Sequence, residues 1–258
     1  MHDPILDFSD KVALITGAAS GFGKLLAEEL GSRGARLVLG DINEEALMQL
    51  ADKLGSQNIA VRAQHCDVSQ ESDCAALAQL AQSEFGQLDI AVNNAGIAPP
   101  MMSLKQTEEA MMDLQYNVNL KGVFLGLKHQ LPLLKMTSGA VLNVSSMAGL
   151  GGAPKIASYA AAKHGVIGLT KTAAMENAKY GIRVNAICPF YCLTPMVTDI
   201  ATEDASPEQV QAFLAEGCPM KRLGKPEEVV AAMLMLVSPK MTYITGQALA
   251  VDGGLSAY

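Results

Sequence analysis

The sequence predicts an α/β fold, a doubly wound parallel sheet of about seven strands with helices on both faces. Three observations carry this expectation. Short apolar runs alternate with longer segments of helical period, glycines close several helical segments just ahead of a strand, and the strands are apolar throughout rather than at every second residue.

The strand segments are KVALIT (11–16), ARLVLG (35–40), IAVRAQ (59–64), LDIAV (88–92), AVLNVS (140–145), IRVNAI (182–187) and ALAV (248–251). Gly34, Gly55 and Gly86 stand where helices between the first four strands should end, and Gly181 does so before IRVNAI, because glycine takes the left-handed position past a helix end without strain. Two later helices start at Ser206-Pro207-Glu208 and at Lys225-Pro226-Glu227-Glu228, with proline in the first turn and carboxylates near the positive end of the helix dipole. Residues 190–225 break the rhythm, with three prolines and no apolar strand. This insertion reads as a substrate lid or as an ordinary surface excursion, and the residues alone do not choose.

Length and composition bound the rest. A chain of 258 residues suits one domain, 1–258, able to bury roughly 75% of its unfolded surface. A net charge of −7 without clustered Lys and Arg argues against nucleic acid as a partner. The five cysteines lack the spacing of a secreted disulfide framework, which points to reduced thiols and a cytoplasmic location. No secretory signal is visible, and the longest apolar run, VVAAMLMLV (229–237), is about half a bilayer-spanning helix, so no membrane role is expected.

Directly after the first strand comes TGAASGFG, Thr16 to Gly23, opening into the helical run KLLAEEL. Missing side chains at Gly17, Gly21 and Gly23 let the backbone approach a pyrophosphate while free helix N–H groups attract its charge, with Ser20 and Phe22 in the same turn. The second strand leads to Asp41, whose carboxylate can accept from both adenosine ribose hydroxyls and would repel a 2′-phosphate. Neither Ser20 nor Ile42 supplies a compensating cation, so the expected cofactor is NAD rather than NADP. The alternative is that Asp41 merely caps the next helix, a task Asn43 can perform instead. Asp67-Val68 and Asn93-Asn94-Ala95-Gly96 follow the third and fourth strands at the carboxyl edge, where ligands bind in such sheets. Of these, Asp67, Val68, Asn93, Ala95 and Gly96 are expected to meet the cofactor.

In SYAAAK, Tyr159 and Lys163 lie four apart and share a helix face. A nearby ammonium favours the phenolate, which makes Tyr159 a candidate proton donor and acceptor, although a packed ring beside a solvated lysine has the same spacing. TGAASGFG, NNAG, Asn119 of NVNLKG, Ser146 of NVSS, Tyr159 and Lys163 of YAAAK, KRLGKPEEV and ITGQALAVDGG together resemble the short-chain dehydrogenase/reductase family from about residue 9 onward.

That resemblance implies a Rossmann-like catalytic domain and a role for each residue. Ser146 would hydrogen-bond the substrate oxygen and Tyr159 would exchange its proton. Lys163 would lower the Tyr159 pKa and hold the nicotinamide ribose, and Asn119 would anchor a water chain for the proton. Pro189 and Thr194 match the family's nicotinamide turn, with Cys192 between them, while Phe190 stands where the family usually has glycine. Phe190 and Tyr191, with Ala98, Met147, Ala153 and Met196, are expected to form a mainly apolar substrate pocket. Cys188 is read as the end of a buried strand; a metal site with Cys192 is not expected because the four histidines offer no matching spacing, nor a disulfide because it would have to straddle Pro189.

The expected activity is interconversion of a hydrophobic secondary alcohol and its ketone with NAD(H). Reduction of a 3-oxoacyl thioester is the alternative, and a catalytically silent dinucleotide-binding regulator the third reading. A carrier-protein partner would need a basic patch, for which Lys221-Arg222 is a weak candidate. The resemblance further implies a homotetramer.

Overall fold

The structure is a computed structural model, and it describes residues 4–198 and 206–257. All seven expected strands form: β1 (Val12–Thr16), β2 (Arg36–Asp41), β3 (Val61–His65), β4 (Ile90–Asn93), β5 (Ala140–Val144), β6 (Arg183–Pro189) and β7 (Ala248–Val251). They make one parallel sheet in the order β3-β2-β1-β4-β5-β6-β7. The chain therefore winds outward from β1 in one direction and from β4 in the other. A crevice opens between those two strands at their carboxyl ends.

Both faces are covered, which explains the continuous apolarity of the inner strands. Ala13, Ile15, Leu37, Leu39 and Val92 pack against α1 (Gly21–Ser32), α2 (Glu44–Ser56) and α9 (Pro226–Val237). Val12, Leu14, Val38, Ala91 and Val184 pack on the other side against α3 (Glu71–Phe85), α5 (Gly122–Leu134) and α6 (Ala157–Asn177). The edge strand β3 departs from the pattern, its residues being half-buried or, at Arg62 and His65, exposed, because only β2 flanks it.

Gly34, Gly86 and Gly181 adopt φ of +92°, +74° and +76° just past helix ends. Gly55 does not: it lies inside the last turn of α2, and Asn58 takes the left-handed conformation instead, at φ +62°. Asparagine tolerates that region better than other non-glycine residues, so the helix runs past the glycine to the next permissive position.

Of residues 190–225, 199–205 lie outside the described residues, and the rest form a small subassembly on the carboxyl side of β6. Within it lie α7 (Pro195–Thr198) and α8 (Pro207–Glu216), the latter opened by the Ser206 hydroxyl accepting from Gln209 N. Val197, Leu214 and Leu223 make a core of their own, against which Tyr191 packs. The two ends of the excursion are tied together by Leu193 N donating to Gly224 O at 3.0 Å and Gly224 N donating to Tyr191 O at 3.0 Å. No helix among the described residues is long and apolar enough to cross a membrane.

Candidate active site

One cavity of about 1170 Å³ runs along the carboxyl edge of the sheet, from Asp41 past the β1–β4 crevice to α7. The glycine turn forms its floor. Gly17 (φ +64°) and Gly21 (φ +52°) both take left-handed conformations, but for different ends. A Cβ on Gly17 would stand 2.7 Å from Ala95 Cα, whereas one on Gly21 would meet nothing nearer than Thr194 at 3.9 Å and would project into free space on the cavity wall. Gly23 is absent from the wall, and a Cβ there would lie 2.1 Å from Gly17 O. Its missing side chain lets α1 pack on the turn rather than admitting a ligand.

The turn is stitched to the neighbouring loop. Thr16 Oγ1 accepts from Asn94 N (3.1 Å) and Ala95 N (3.2 Å), and Asn94 Nδ2 donates to Thr16 O (3.0 Å) and Gly17 O (2.9 Å). Asn94, Ala95 and Gly96 line the cavity. The side chain of Asn93, expected to meet the cofactor, is turned away from the cavity: its amide is buried on the α5 face, exchanging hydrogen bonds with Gln130 and donating to Asn143. Side chains alternate along a strand, and Val92 already faces α1, so Asn93 must face away from it.

At the other end Asp41 Oδ2 accepts from Ala19 N at 2.8 Å and Oδ1 from Asn43 N at 2.9 Å. The cap of α2 is supplied by Asn43, which accepts from Ala46 N at 3.1 Å. Asp41 therefore faces the cavity together with Ser20, Phe22, Ile42, Asp67 and Val68. The charged side chains on the wall are Asp41, Asp67 and Lys163 among the described residues, and none of them lies at the α7 end.

In the middle of the cavity wall Ser146 lies close enough to Tyr159 to lower its pKa, and Ser146 Oγ accepts from Ala148 N at 3.1 Å. Adjacent Ser145 is spent, its hydroxyl donating to Lys163 O at 2.9 Å. Lys163 is buried, its Nζ donating to Val144 O at 2.8 Å and lying 5.5 Å from the centre of the Tyr159 ring.

Burial pushes Tyr159 up to about 12, only partly offset by Ser146, and pushes Lys163 down to about 8. In the cofactor-free chain desolvation dominates the Tyr159 shift and Lys163 is not among its causes, so the phenol is neutral there at physiological pH. Asn119, the expected anchor of a water chain, is fully buried. It lies in a π-helical turn (Tyr116–Lys121) that joins α4 (Glu109–Gln115) to α5, and its side chain is off the cavity wall. The amide is saturated by Ile97 N, Ile97 O and Gln115. It fixes the loop that carries Gly96, where a Cβ would stand 3.5 Å from Lys163 Nζ.

Pro189, Cys192 and Thr194 line the cavity, as do Ala98, Met147, Ala153, Phe190, Tyr191 and Met196. Phe190 avoids the left-handed region and continues the sheet, its N–H donating to Val251 O at 3.1 Å. The family's glycine is thus not required by this turn. All five cysteines are free and buried, and among the described residues no group of three metal-ligating side chains occurs. Sequence reasoning missed Asn94 and Thr16 as the stitching pair, and Met101, Leu150 and Leu255 as further apolar wall. Strand parity would have chosen Asn94 over Asn93.

A family model described as enoyl-(acyl carrier protein) reductase matches residues 17–256. The chain belongs to the short-chain dehydrogenase/reductase family. Its fellow members include the cis-4-hydroxycyclohexanecarboxylate dehydrogenase of Sinomonas cyclohexanicum, 42% identical over 97% of this chain and 98% of that one. The cyclohexanol dehydrogenase of Acinetobacter sp. strain SE19 is 38% identical over 97% and 96%. Among solved structures, the 3-ketoacyl-(acyl-carrier-protein) reductase of Brucella melitensis complexed with NADH superposes with a TM-score of 0.88 at 35% identity, over 97% of this chain and 100% of that one. This short-chain dehydrogenase/reductase is accordingly an oxidoreductase that uses a nicotinamide dinucleotide.

The residues present fit that cofactor. Gly21 leaves room over the α1 N-terminus, where a pyrophosphate would accept from free N–H groups.

Proposed function

We propose that this dehydrogenase interconverts an uncharged, apolar secondary alcohol, most simply an alicyclic one, and its ketone with NAD(H). The observation that carries the reading is the placement of Ser146 and Tyr159 on one cavity wall, close enough that the serine lowers the tyrosine pKa, beside an α7 end with no charged side chain among the described residues. Bound NAD(H) supplies the hydride donor or acceptor. Ser146 orients the substrate oxygen, and Tyr159 passes its phenolic proton to that oxygen in reduction or takes one from it in oxidation. The buried Lys163 ammonium sits beside the ring and is placed to meet the nicotinamide ribose, while Thr194 faces the turn that would hold the carboxamide. Pro189, Phe190 and the 190–225 segment, acting as a lid, exclude water from this step.

Asp41 supports NAD over NADP, since both its oxygens are held towards the cavity by backbone N–H groups and its neighbour Ile42 brings no cation. Named relatives acting on cyclohexane rings favour an alicyclic substrate. A homotetramer in the cytoplasm completes the reading, in keeping with five free thiols.

The 3-oxoacyl thioester reading draws on the Brucella relative. It is weakened by the basic pair it would need: Arg222 is bound by Glu228 at 2.8 and 2.7 Å, and Lys221 Nζ donates to Glu216 O. The deciding experiment is nicotinamide absorbance with alicyclic alcohols and ketones beside an acetoacetyl thioester, using NAD(H) and NADP(H) in parallel. NAD-linked turnover of the ring substrates is expected; turnover of the thioester alone would overturn the reading.

A further inference from the structure

The substrate end of the cavity is poor in polar side chains, and nearly all of those present are already engaged. Ser146 and Tyr159 serve the reacting oxygen, Ser145 donates to Lys163 O, and Ser256 is bound to Asp252. Tyr191 and Thr194 are the exceptions, and Thr194 faces the turn assigned to the carboxamide, which leaves Tyr191. It lines the same cavity as Tyr159, and among the described residues its hydroxyl has no hydrogen-bond partner.

Its ring is nonetheless held firmly. Phe190 meets it edge to face, with centroids 4.7 Å apart and planes at 64°, and Val197, Leu214 and Leu223 pack behind it. The Tyr191 carbonyl is pinned by Gly224 N at 3.0 Å. A rigid ring carrying an unspent donor in an otherwise apolar pocket is a preorganised polar contact, because little side-chain freedom remains to be lost when a ligand oxygen arrives.

We propose that Tyr191 is a specificity-determining residue that donates a hydrogen bond to a second oxygen on the ring substrate. The preferred substrate class is thereby a cyclic diol, hydroxyketone or diketone rather than a plain cyclic alcohol. One oxygen sits on Ser146 and Tyr159 and reacts; the other is a bystander held by Tyr191.

Burial raises the Tyr191 pKa, so the group stays a neutral donor, and it lies near enough to Tyr159 that charge on one phenol opposes charge on the other. Both phenols line the same cavity as Ser146, so a small molecule seated on Ser146 and Tyr159 shares its space with Tyr191. The chemistry fits an uncharged oxygen: among the described residues the α7 end has no cation to receive a carboxylate.

This inference rests on the alcohol dehydrogenase reading, and the test separates the two. Initial rates of NAD+ reduction are measured with cyclohexanol and with the cyclohexane-1,2-, 1,3- and 1,4-diols, for the wild type and for Tyr191→Phe. In the wild type at least one diol should exceed cyclohexanol in kcat/KM. In Tyr191→Phe the ratio of diol to cyclohexanol should fall about tenfold, the worth of one well-placed hydrogen bond, and the loss should sit in KM rather than kcat.

Equal proportional losses on all substrates would make Tyr191 a structural wall and overturn the proposal, as would cyclohexanol turnover with no diol preferred. Absence of turnover on every ring alcohol would instead overturn the underlying reading, and this one with it.

Discussion

Lys163 Nζ donates to the carbonyl of Val144 at 2.8 Å while lying 5.5 Å from the centre of the Tyr159 ring, so one ammonium is anchored to the sheet and held beside the phenol. The arrangement keeps a cation in a buried place. Desolvation lowers Lys163 from its ordinary 10.5 to about 8. Between those values the unfolded chain binds more protons than the folded one, so stability rises with pH across that window and is lowest, on this account, below it. Thermal denaturation of the cofactor-free protein should therefore show wild type gaining on Lys163→Met as pH climbs from about 8 towards 10. Parallel curves would mean that the lysine titrates normally.

Tyr159 is a neutral phenol at physiological pH, its pKa raised to about 12 by burial. It is suited to give a proton to a carbonyl oxygen. Tyr159→Phe keeps the ring and removes only the hydroxyl, so kcat should fall by about 10²–10⁴ while NADH binding, read by its fluorescence, changes little. Residual activity within tenfold of wild type would move the proton transfer to another group.

Much of this site is written in the sequence, and the parts that are not have physical causes. The glycine turn, Asp41, Ser146, Tyr159 and Lys163 are recognisable because each sits at a fixed offset from a strand end or on one helix face, and the sheet brings those offsets to one cavity wall. The side-chain directions of Asn93 and Asn119 are not legible, because motif position says nothing about which way a side chain points; one faces α5, and the other is bound to the Ile97 backbone. The sign of the Tyr159 shift was also hidden, since spacing reveals a neighbouring charge but not the depth of burial that outweighs it. Gly55 misleads for a local reason, because Asn58 three residues later satisfies the same backbone requirement.

Cofactor choice should be portable through two residues. Ile42 is 65% exposed, so its side chain can be exchanged at small structural cost, and Asp41 holds the carboxylate that opposes a 2′-phosphate. Asp41→Ser with Ile42→Arg removes the repulsion and adds a cation. The ratio of kcat/KM for NADP(H) to that for NAD(H) should rise by about 10²-fold or more, corresponding to roughly 3 kcal/mol. An unchanged ratio would show that Asp41 is not the discriminator.

The phosphate turn offers the sharpest contrast, because two of its glycines are required for different reasons. A Cβ at Gly23 would come within 2.1 Å of Gly17 O, an unyielding backbone atom, so Gly23→Ala must displace α1 from the turn and lower the melting temperature of the cofactor-free protein. At Gly21 the nearest atom is 3.9 Å away, leaving only the strain of φ +52°, about 1 kcal/mol. Gly21→Ala should therefore keep most of its stability yet weaken NADH binding about tenfold or more, since the new methyl group occupies the approach to the α1 N-terminus. Calorimetry on both variants, with and without NADH, reads the two effects separately. Equal loss of stability in both would mean that the whole turn, and not Gly21 alone, is set by packing.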